Sequence, residues 1–289
     1  MPSEAGHGRV NMDAVTVAGF GAEWQRFDQS DLDEAEAQAH FDKYFSLVPL
    51  ETLAPGATAM DVGCGSGRWS RLVAPSVGTL HLVDASGDAL DVARRNLAGA
   101  TNCIFHEASV DSLPVADGSM DFVYSLGVLH HVPDTAAGIR ECARKLKPGA
   151  PLLLYLYYAF DSRPRWFRTL WRATDVMRRK VSRLPFRPRR VVADVIALVV
   201  YLPLAKASWL AERLHRDPGS IPLSFYRNAS FYTMRTDALD RFGTQLEQRF
   251  TCDQISRMLT DAGLVDIRFR EGEPFWCVTG TRPRPSDTA

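Results

Sequence analysis

The chain has few cysteines, and none are paired in a way that suggests chemistry. Cys64, Cys103, Cys142, Cys252 and Cys277 are scattered over 289 residues, with no CxxC and no Cys/His cluster. A disulfide framework and a structural zinc are therefore disfavoured, no metal site is apparent, and a reducing cytoplasm is the default. An excess of one charge is also missing: 34 Lys and Arg balance 34 Asp and Glu. That removes any global pull toward nucleic acid, so no such partner is expected. The stretch MPSEAGHGRVNMDA lacks the basic-then-apolar pattern of a signal segment. The longest apolar stretch, VVADVIALVVYLPLA, is interrupted by Asp194 and Pro203. It falls short of the roughly 18 residues that a bilayer-spanning helix needs. A soluble or at most peripheral protein is the expectation.

With 46% hydrophobic residues, the chain can bury the core of one large domain, or of a domain with an elaborate insertion. From residue 57 to about 157 short apolar runs alternate with helical periodicity. Strands are predicted at 58–63, 79–86, 102–108, 119–127 and, fully buried, at 151–160. Helix-compatible sequence follows most of them, as in GDALDVARRNLAG and TAAGIRECARKLKPGA. This alternation predicts an α/β fold with a doubly wound, mostly parallel, Rossmann-like sheet. TCDQISRMLTDAGL reads as a helix capped by Thr251 or Asp253 and stopped by Gly263, and VDIRFREGEPFWCVTGTR as an antiparallel hairpin around REGEP. The organisation expected is an N-terminal flap or cap over 1–45, a core over 46–160 and 250–283, an inserted helical lid or acceptor region over 161–249, and a disordered tail over 284–289.

DVGCGSGRWS places Gly63, Gly65 and Gly67 between the first strand and a helix-compatible run. Such loops bring backbone N–H groups to an anionic or polar ligand. The spacing is GxGxG, not the GxGxxG of dinucleotide sites, and no GxxxxGKS or GxxxxGKT is present to make a P-loop. Asp84 ends the second strand about 20 residues beyond the first glycine, where an acid can accept hydrogen bonds from ribose hydroxyls. The alternative for these two features is a tight turn with a solvent-exposed acid.

Taken together, DVGCGSG, VDAS, LPVADGSMDFVYSLGVLHHVPD and RKLKPGAPLLL closely resemble the class I S-adenosylmethionine-dependent methyltransferases. The likeness is to the branch that includes the ubiquinone and menaquinone biosynthesis enzymes, and it covers roughly 57–160. It implies S-adenosyl-L-methionine as cofactor. Asp61, Gly63, Gly65 and Gly67 would hold its methionine end, and Asp84 its ribose. Ser109 beside Val110 matches the position of an acid that often meets the adenine, and Asp111 is the substitute if the loop is shifted. Ser125, Leu126 and Gly127 would line the sulfonium side. Glu23, Trp24 and Arg26 lie where this family folds a flap over the cofactor; packing of Trp24 against the core is the alternative.

On the acceptor side His130 and His131 are candidate bases, since an imidazole titrates in the useful range. In the resembling family LHH often only positions the following helix. Strand alternation sends Tyr155 and Tyr157 to one face and Tyr158 to the other, so Tyr157 is a further catalytic candidate and Tyr158 a substrate contact. Buried core tyrosines are the competing reading. YRNASFYTMRTDALDRFG offers Tyr226, Arg227, Tyr232 and Arg235 as substrate contacts, together with Asp237, Asp240 and Arg241. These last three could equally form a helix-surface network.

Between 161 and 190 eleven Arg and Lys face only two acids, Asp161 and Asp175, with Trp166, Phe167, Leu170, Trp171, Met177 and Val181 at helical spacing. Three readings are open: a lid packing its apolar stripe on the sheet and solvating its arginines, an amphipathic helix on an anionic membrane surface with contact through 163–210, or an RNA grip. The expected function is methylation of a small-molecule acceptor by in-line transfer, oxygen or nitrogen favoured over carbon. The protein would be cytoplasmic, with peripheral contact at the inner membrane face as the alternative. The competing functions are methylation of a lipophilic membrane-bound acceptor and a non-catalytic peripheral membrane or partner-binding role. A nicotinamide oxidoreductase is disfavoured by GxGxG.

Overall fold

Strand-forming residues buried on both faces leave no polar alternation, and this is what β5 shows: Leu152, Leu153 and Leu154 are all fully buried. The computed structural model of the chain describes residues 11–29, 32–160, 164–272 and 276–287. Two helices come first, α1 (Ala14–Arg26) and α2 (Glu34–Phe45). They are followed by β1 (Thr58–Val62), α3 (Ser70–Val73), β2 (Thr79–Asp84), α4 (Gly87–Asn96), β3 (Cys103–Glu107), β4 (Phe122–Leu126), α5 (Thr135–Lys145) and β5 (Pro151–Tyr155). The inserted region supplies α6 (Arg165–Val181), α7 (Phe186–Ile196), α8 (Leu202–Arg213) and α9 (Phe231–Gly243). The chain then returns through α10 (Cys252–Asp261), β6 (Val265–Phe269) and β7 (Cys277–Thr281).

The seven strands form one sheet in the order β3-β2-β1-β4-β5-β7-β6. β1 to β5 pair in parallel, and β7 runs antiparallel to both β5 and β6. This is the expected doubly wound sheet with its C-terminal hairpin. One face is covered by α5 and α10, through Ile139, Cys142, Ile255 and Leu259. The other is covered by α2 and α4, through Phe41, Phe45, Leu90 and Ala93. Chain direction across the sheet reverses between β1 and β4, and a ligand crevice opens beyond the carboxyl ends of strands at such a point.

Several local expectations need correction. β5 stops at Tyr155, where the chain leaves the sheet, and only an isolated bridge, Tyr158 to Phe250, continues the pairing. The expected cap over 1–45 divides, because α2 covers the sheet while α1 packs on α4 and α9. Thr251 caps α10 in a reciprocal capping box with Gln254. Pro285–Asp287 form a short 3-10 turn within the tail expected to be disordered. Residues 1–10 of the cap, Asp161 and Arg163 of the basic segment, Glu273 and Pro274 of the expected turn, and residues 288 and 289 lie outside the described residues.

The largest correction concerns the apolar stretch. Asp194 and Pro203 do not interrupt it: Phe186–Arg213 is one continuous helical run of 28 residues. Pro203 is tolerated because it sits at the start of α8, directly after a π-helical turn, Ala197–Tyr201, that reorganises the backbone hydrogen bonds. Asp194 is paired with Arg235, at 2.8 and 3.1 Å. Ala197, Tyr201 and Ala205 turn inward, with Met234, Ala238 and Phe242 of α9 in the same cluster, while Ala193 joins Leu239 of α9 and Phe27 in another. α6 packs on α9 of the inserted region. Not all its arginines are solvated: Arg178 is buried, bonding Asp175 at 2.7 Å and the Thr244 carbonyl at 2.8 Å.

Candidate active site

The first βα turn shows why glycine recurs there. Gly63 adopts φ +79°, and a Cβ at that position would lie 2.4 Å from Cγ1 of Val128, which follows β4. Gly65, at φ +54°, would direct a Cβ to 2.9 Å from Nε1 of Trp24. The glycines thus let β1, the segment after β4, and α1 approach one another around a backbone cradle. Ser66 Oγ is buried in this cradle without a hydrogen-bond partner. Asp84 accepts Gly65 N on Oδ2 and Ser86 N on Oδ1, each at 2.8 Å. Each of its oxygens keeps a lone pair for a ligand.

The cradle is one end of a cavity of about 710 Å³. Its walls include Gly63, Gly65, Asp84, Ser109, Val110, Leu126 and Gly127 at the strand ends, and Glu23 and Trp24 of α1 above them. Asp111 accepts from Asn11 N at 3.0 Å and from Ser109 Oγ. The far half is lined by Tyr155, Tyr157, Tyr158 and His131, and by Tyr226, Asp237 and Asp240 of the inserted region. α6 to α8 contribute an apolar outer wall that includes Leu170, Met177, Val200 and Leu204.

Not every expected site residue meets this space. Asp61 is buried below the loop, where Ser70 Oγ donates to it at 2.5 Å. Gly67 packs against α4, and Ser125 Oγ donates to the Val62 carbonyl at 2.8 Å, tying β4 to β1. His130 is fully buried beneath Tyr157, with ring centroids 3.8 Å apart. Burial, then the neighbouring His131 and Arg249, hold it well below the usual histidine range. Arg227 pairs with Glu212 at 3.0 Å, Arg235 with Asp194, and the Tyr232 hydroxyl accepts from Gln29 N. These three stand outside the cavity, held by those partners; hydrogen-bonding ability alone does not reveal which residues look inward.

The cavity also recruits residues with little sequence signal. His40 and Tyr44 of α2, one helical turn apart, join Arg68 and Trp69 from just after the glycines. Arg249 inserts among Tyr157, Phe160 and Trp171, 4.8 to 5.0 Å from each ring centre, and pairs with Glu247 at 2.8 Å.

Burial pushes the Asp61 carboxyl up from its ordinary 3.8 to about 7, against the hydrogen bonds from Ser70 and Tyr124. The folded chain therefore binds this proton more tightly than the unfolded one. The contribution to stability is full at acid pH and is lost as pH rises from about 4 through about 7. Asp61→Asn is expected to raise the Tm at pH 8, with a smaller gain at pH 5. Thermal denaturation checks this, and an equal gain at both pH values would contradict it.

Residues 60–154 match the family described as "Methyltransferase domain". The chain is 35% identical over 145 residues to the ubiquinone biosynthesis O-methyltransferase of Xanthomonas oryzae pv. oryzae. It is 38% identical over 145 residues to the enzyme of that name from Xanthomonas campestris pv. campestris. Each alignment covers 44% of this chain and 61% of the relative, so the chain spans about three fifths of the length of these curated relatives. Among solved structures, SibL, described as an S-adenosylmethionine-dependent methyltransferase, aligns over 86% of this chain and 56% of its own, with TM-score 0.51 and 16% identity. A Bacillus halodurans protein described as a methyltransferase aligns over 80% of this chain and 70% of its own, with TM-score 0.50 and 17% identity. At those identities the structural likeness speaks for the fold. The matched segment carries the glycine cradle, Asp84 and the β4 turn, and over it the chain resembles the class I S-adenosylmethionine-dependent methyltransferases of the ubiquinone-biosynthesis branch.

Proposed function

We propose that this chain methylates a hydroxyl oxygen of a small-molecule acceptor held between the sheet and the inserted helices. The observation that carries this reading is the continuity of one cavity from Asp84 and the glycines to His131, Tyr157, Asp237 and Asp240. Oxygen as the target, ahead of nitrogen, draws on the relatives described as O-methyltransferases. The buried Ser66 hydroxyl, the open lone pairs of Asp84 and the backbone cradle fit S-adenosylmethionine. When bound, the donor supplies an electrophilic methyl group whose bond to sulfur breaks as the acceptor oxygen's electron pair forms the new bond. The chain's part is alignment and exclusion of water, which the aromatic walls and α1 provide. Calorimetry with S-adenosylmethionine and with NAD is the test. Micromolar binding of the former alone is expected, and its absence would overturn the proposal.

A second reading concerns where the acceptor comes from. Val191, Val195, Leu198, Val199 and Leu210 are exposed along Phe186–Arg213, beside exposed Arg183, Arg187, Lys206 and Arg213. Among the described residues this is the helix long and apolar enough to cross a membrane, yet a third of its apolar window is buried inside the protein. Spanning would strip that buried face from α9, whereas lying along an anionic surface keeps it covered. Leu170, Met177 and Val200 are exposed as well as lining the cavity, so a lipophilic acceptor would enter from the bilayer side. The wild type is expected to co-sediment with phosphatidylglycerol vesicles at low salt, and Val195→Asp/Leu198→Asp to stay in the supernatant. A wild type that does not sediment sinks this reading.

A further inference from the structure

His131 and Asp240 are brought together from opposite parts of the chain, one after β4 and the other on α9 of the inserted region. Nδ1 of His131 lies 2.7 Å from the Leu246 carbonyl. A carbonyl only accepts, so Nδ1 carries a hydrogen and, in the neutral ring, the lone pair is on Nε2. Nε2 is buried without a hydrogen-bond partner and lies 3.8 Å from Oδ1 of Asp240. Asp240 is fixed in turn: Tyr157 donates its hydroxyl to Oδ2 at 2.5 Å, and Thr244 Oγ1 donates to Oδ1 at 3.3 Å. His131, Asp240 and Tyr157 all line the far half of the cavity.

We propose that His131 and Asp240 form the proton-accepting pair of the acceptor site, with Tyr157 as its positioning residue. This rests on the methyltransferase reading above. The acceptor's O–H bond breaks, its proton passes to Nε2 of His131, and the oxygen keeps the electron pair. The imidazolium so formed is balanced by the Asp240 carboxylate at contact distance, and the proton leaves to solvent when the product departs. Without an anion there, a positive ring in this water-poor setting would be costly. The arrangement gives a role to a residue of the inserted region that no motif marks.

Other charges bear on the pair. Glu23 of α1 is buried with Oε1 unpartnered, and Asp237 stands one turn before Asp240 on α9. Glu247 and Arg249 follow on the return to the core, and Arg241 is adjacent on α9. Burial holds the Asp240 carboxyl above the usual carboxylate range, while the His131 charge and the Tyr157 hydroxyl pull it back and Glu247 pushes it up. Removing His131 should therefore drive Asp240 further up.

Carbon-13 NMR of the Asp240 carboxyl, with S-adenosylhomocysteine bound, is the first test. His131→Gln is expected to move its titration upward by about one pH unit or more, and Tyr157→Phe upward by less. 4-Nitrocatechol, whose ionisation is visible by absorbance, is the second. Its ionised band on binding to the wild type is expected to disappear in Asp240→Asn, with S-adenosylmethionine affinity by calorimetry unchanged. Turnover of this probe should fall about 100-fold in Asp240→Asn and recover partly at high pH. An Asp240 titration indifferent to His131→Gln overturns the pair, as does an Asp240→Asn pH–rate profile that matches the wild type. Failure of the wild type to bind S-adenosylmethionine would instead strike the methyltransferase reading.

Discussion

Asp84→Ala is expected to reduce the affinity for S-adenosylmethionine by about two orders of magnitude, because two hydroxyl hydrogen bonds to a buried carboxylate are each worth roughly 1.5 kcal/mol or more. The carboxylate is held in place by Gly65 N and Ser86 N, so it faces the cavity without a rearrangement cost. Burial pushes its carboxyl upward, and the N–H groups of Ser86, Gly65 and Ala85 oppose that shift. The alanine variant also leaves Gly65 N without its partner, which adds a structural contribution to the loss. Asp84→Asn separates the two effects: its amide oxygen still accepts from Gly65 N, while the charge is gone. An intermediate loss for Asn and a full loss for Ala, read by calorimetry, is the expected order. Unchanged affinity in both would mean that DVGCGSG is only a turn.

Gly63→Ala is expected to be the most damaging single methyl group in the molecule. It pays twice, once for a left-handed backbone at φ +79° and once for a Cβ 2.4 Å from Val128 Cγ1. The first term is about 1–2 kcal/mol and the second about 1–3 kcal/mol. Denaturant unfolding should register their sum, and donor binding should fall with it because the cradle cannot keep its shape. Gly56→Ala is the calibrating variant: φ is +75° there, and nothing lies within 4 Å of the added carbon. It should show the backbone term alone. Adding Val128→Ala to Gly63→Ala should restore part of the overpacking term and none of the other. If Gly56→Ala and Gly63→Ala prove equally costly, the Val128 contact is not tight.

Most of the core was legible because its signals are local. Leu90 and Ala93 repeat at helical spacing, Leu152 to Leu154 form an unbroken apolar run, and the three glycines sit where a strand must turn into a helix. The cradle end of the cavity was legible for the same reason, since it hangs from strand ends whose order the motifs fix. The far wall was not. Tyr226 lines the cavity while neighbouring Arg227 faces outward to Glu212, and no periodicity in 220–230 separates them. Asp237 and Asp240 could have been a surface pair until α9 was seen packed against α1, α6 and α7. Phe186–Arg213 misled for a different reason. A charged residue and a proline are ordinary helix-breaking evidence, but here one is neutralised by Arg235 from another helix and the other follows a π turn. The first compensation comes from a distant helix, and the second is a local backbone rearrangement that the residue types do not announce.

The strand order also determines when the sheet can be completed during synthesis. β5 is made well before β7, yet β7 is its only partner on that side. While α6 to α9 emerge from the ribosome, Leu152 to Leu154 stand at an open edge that would template pairing with another nascent chain. The inserted helices collapse onto α9 through their own cluster, so they can fold beside that edge without occupying it. Closure then waits for β7 to slot between β5 and β6. A ribosome stalled before Cys277 would therefore hold a chain with β1 to β5 already made and the edge of its sheet still adhesive.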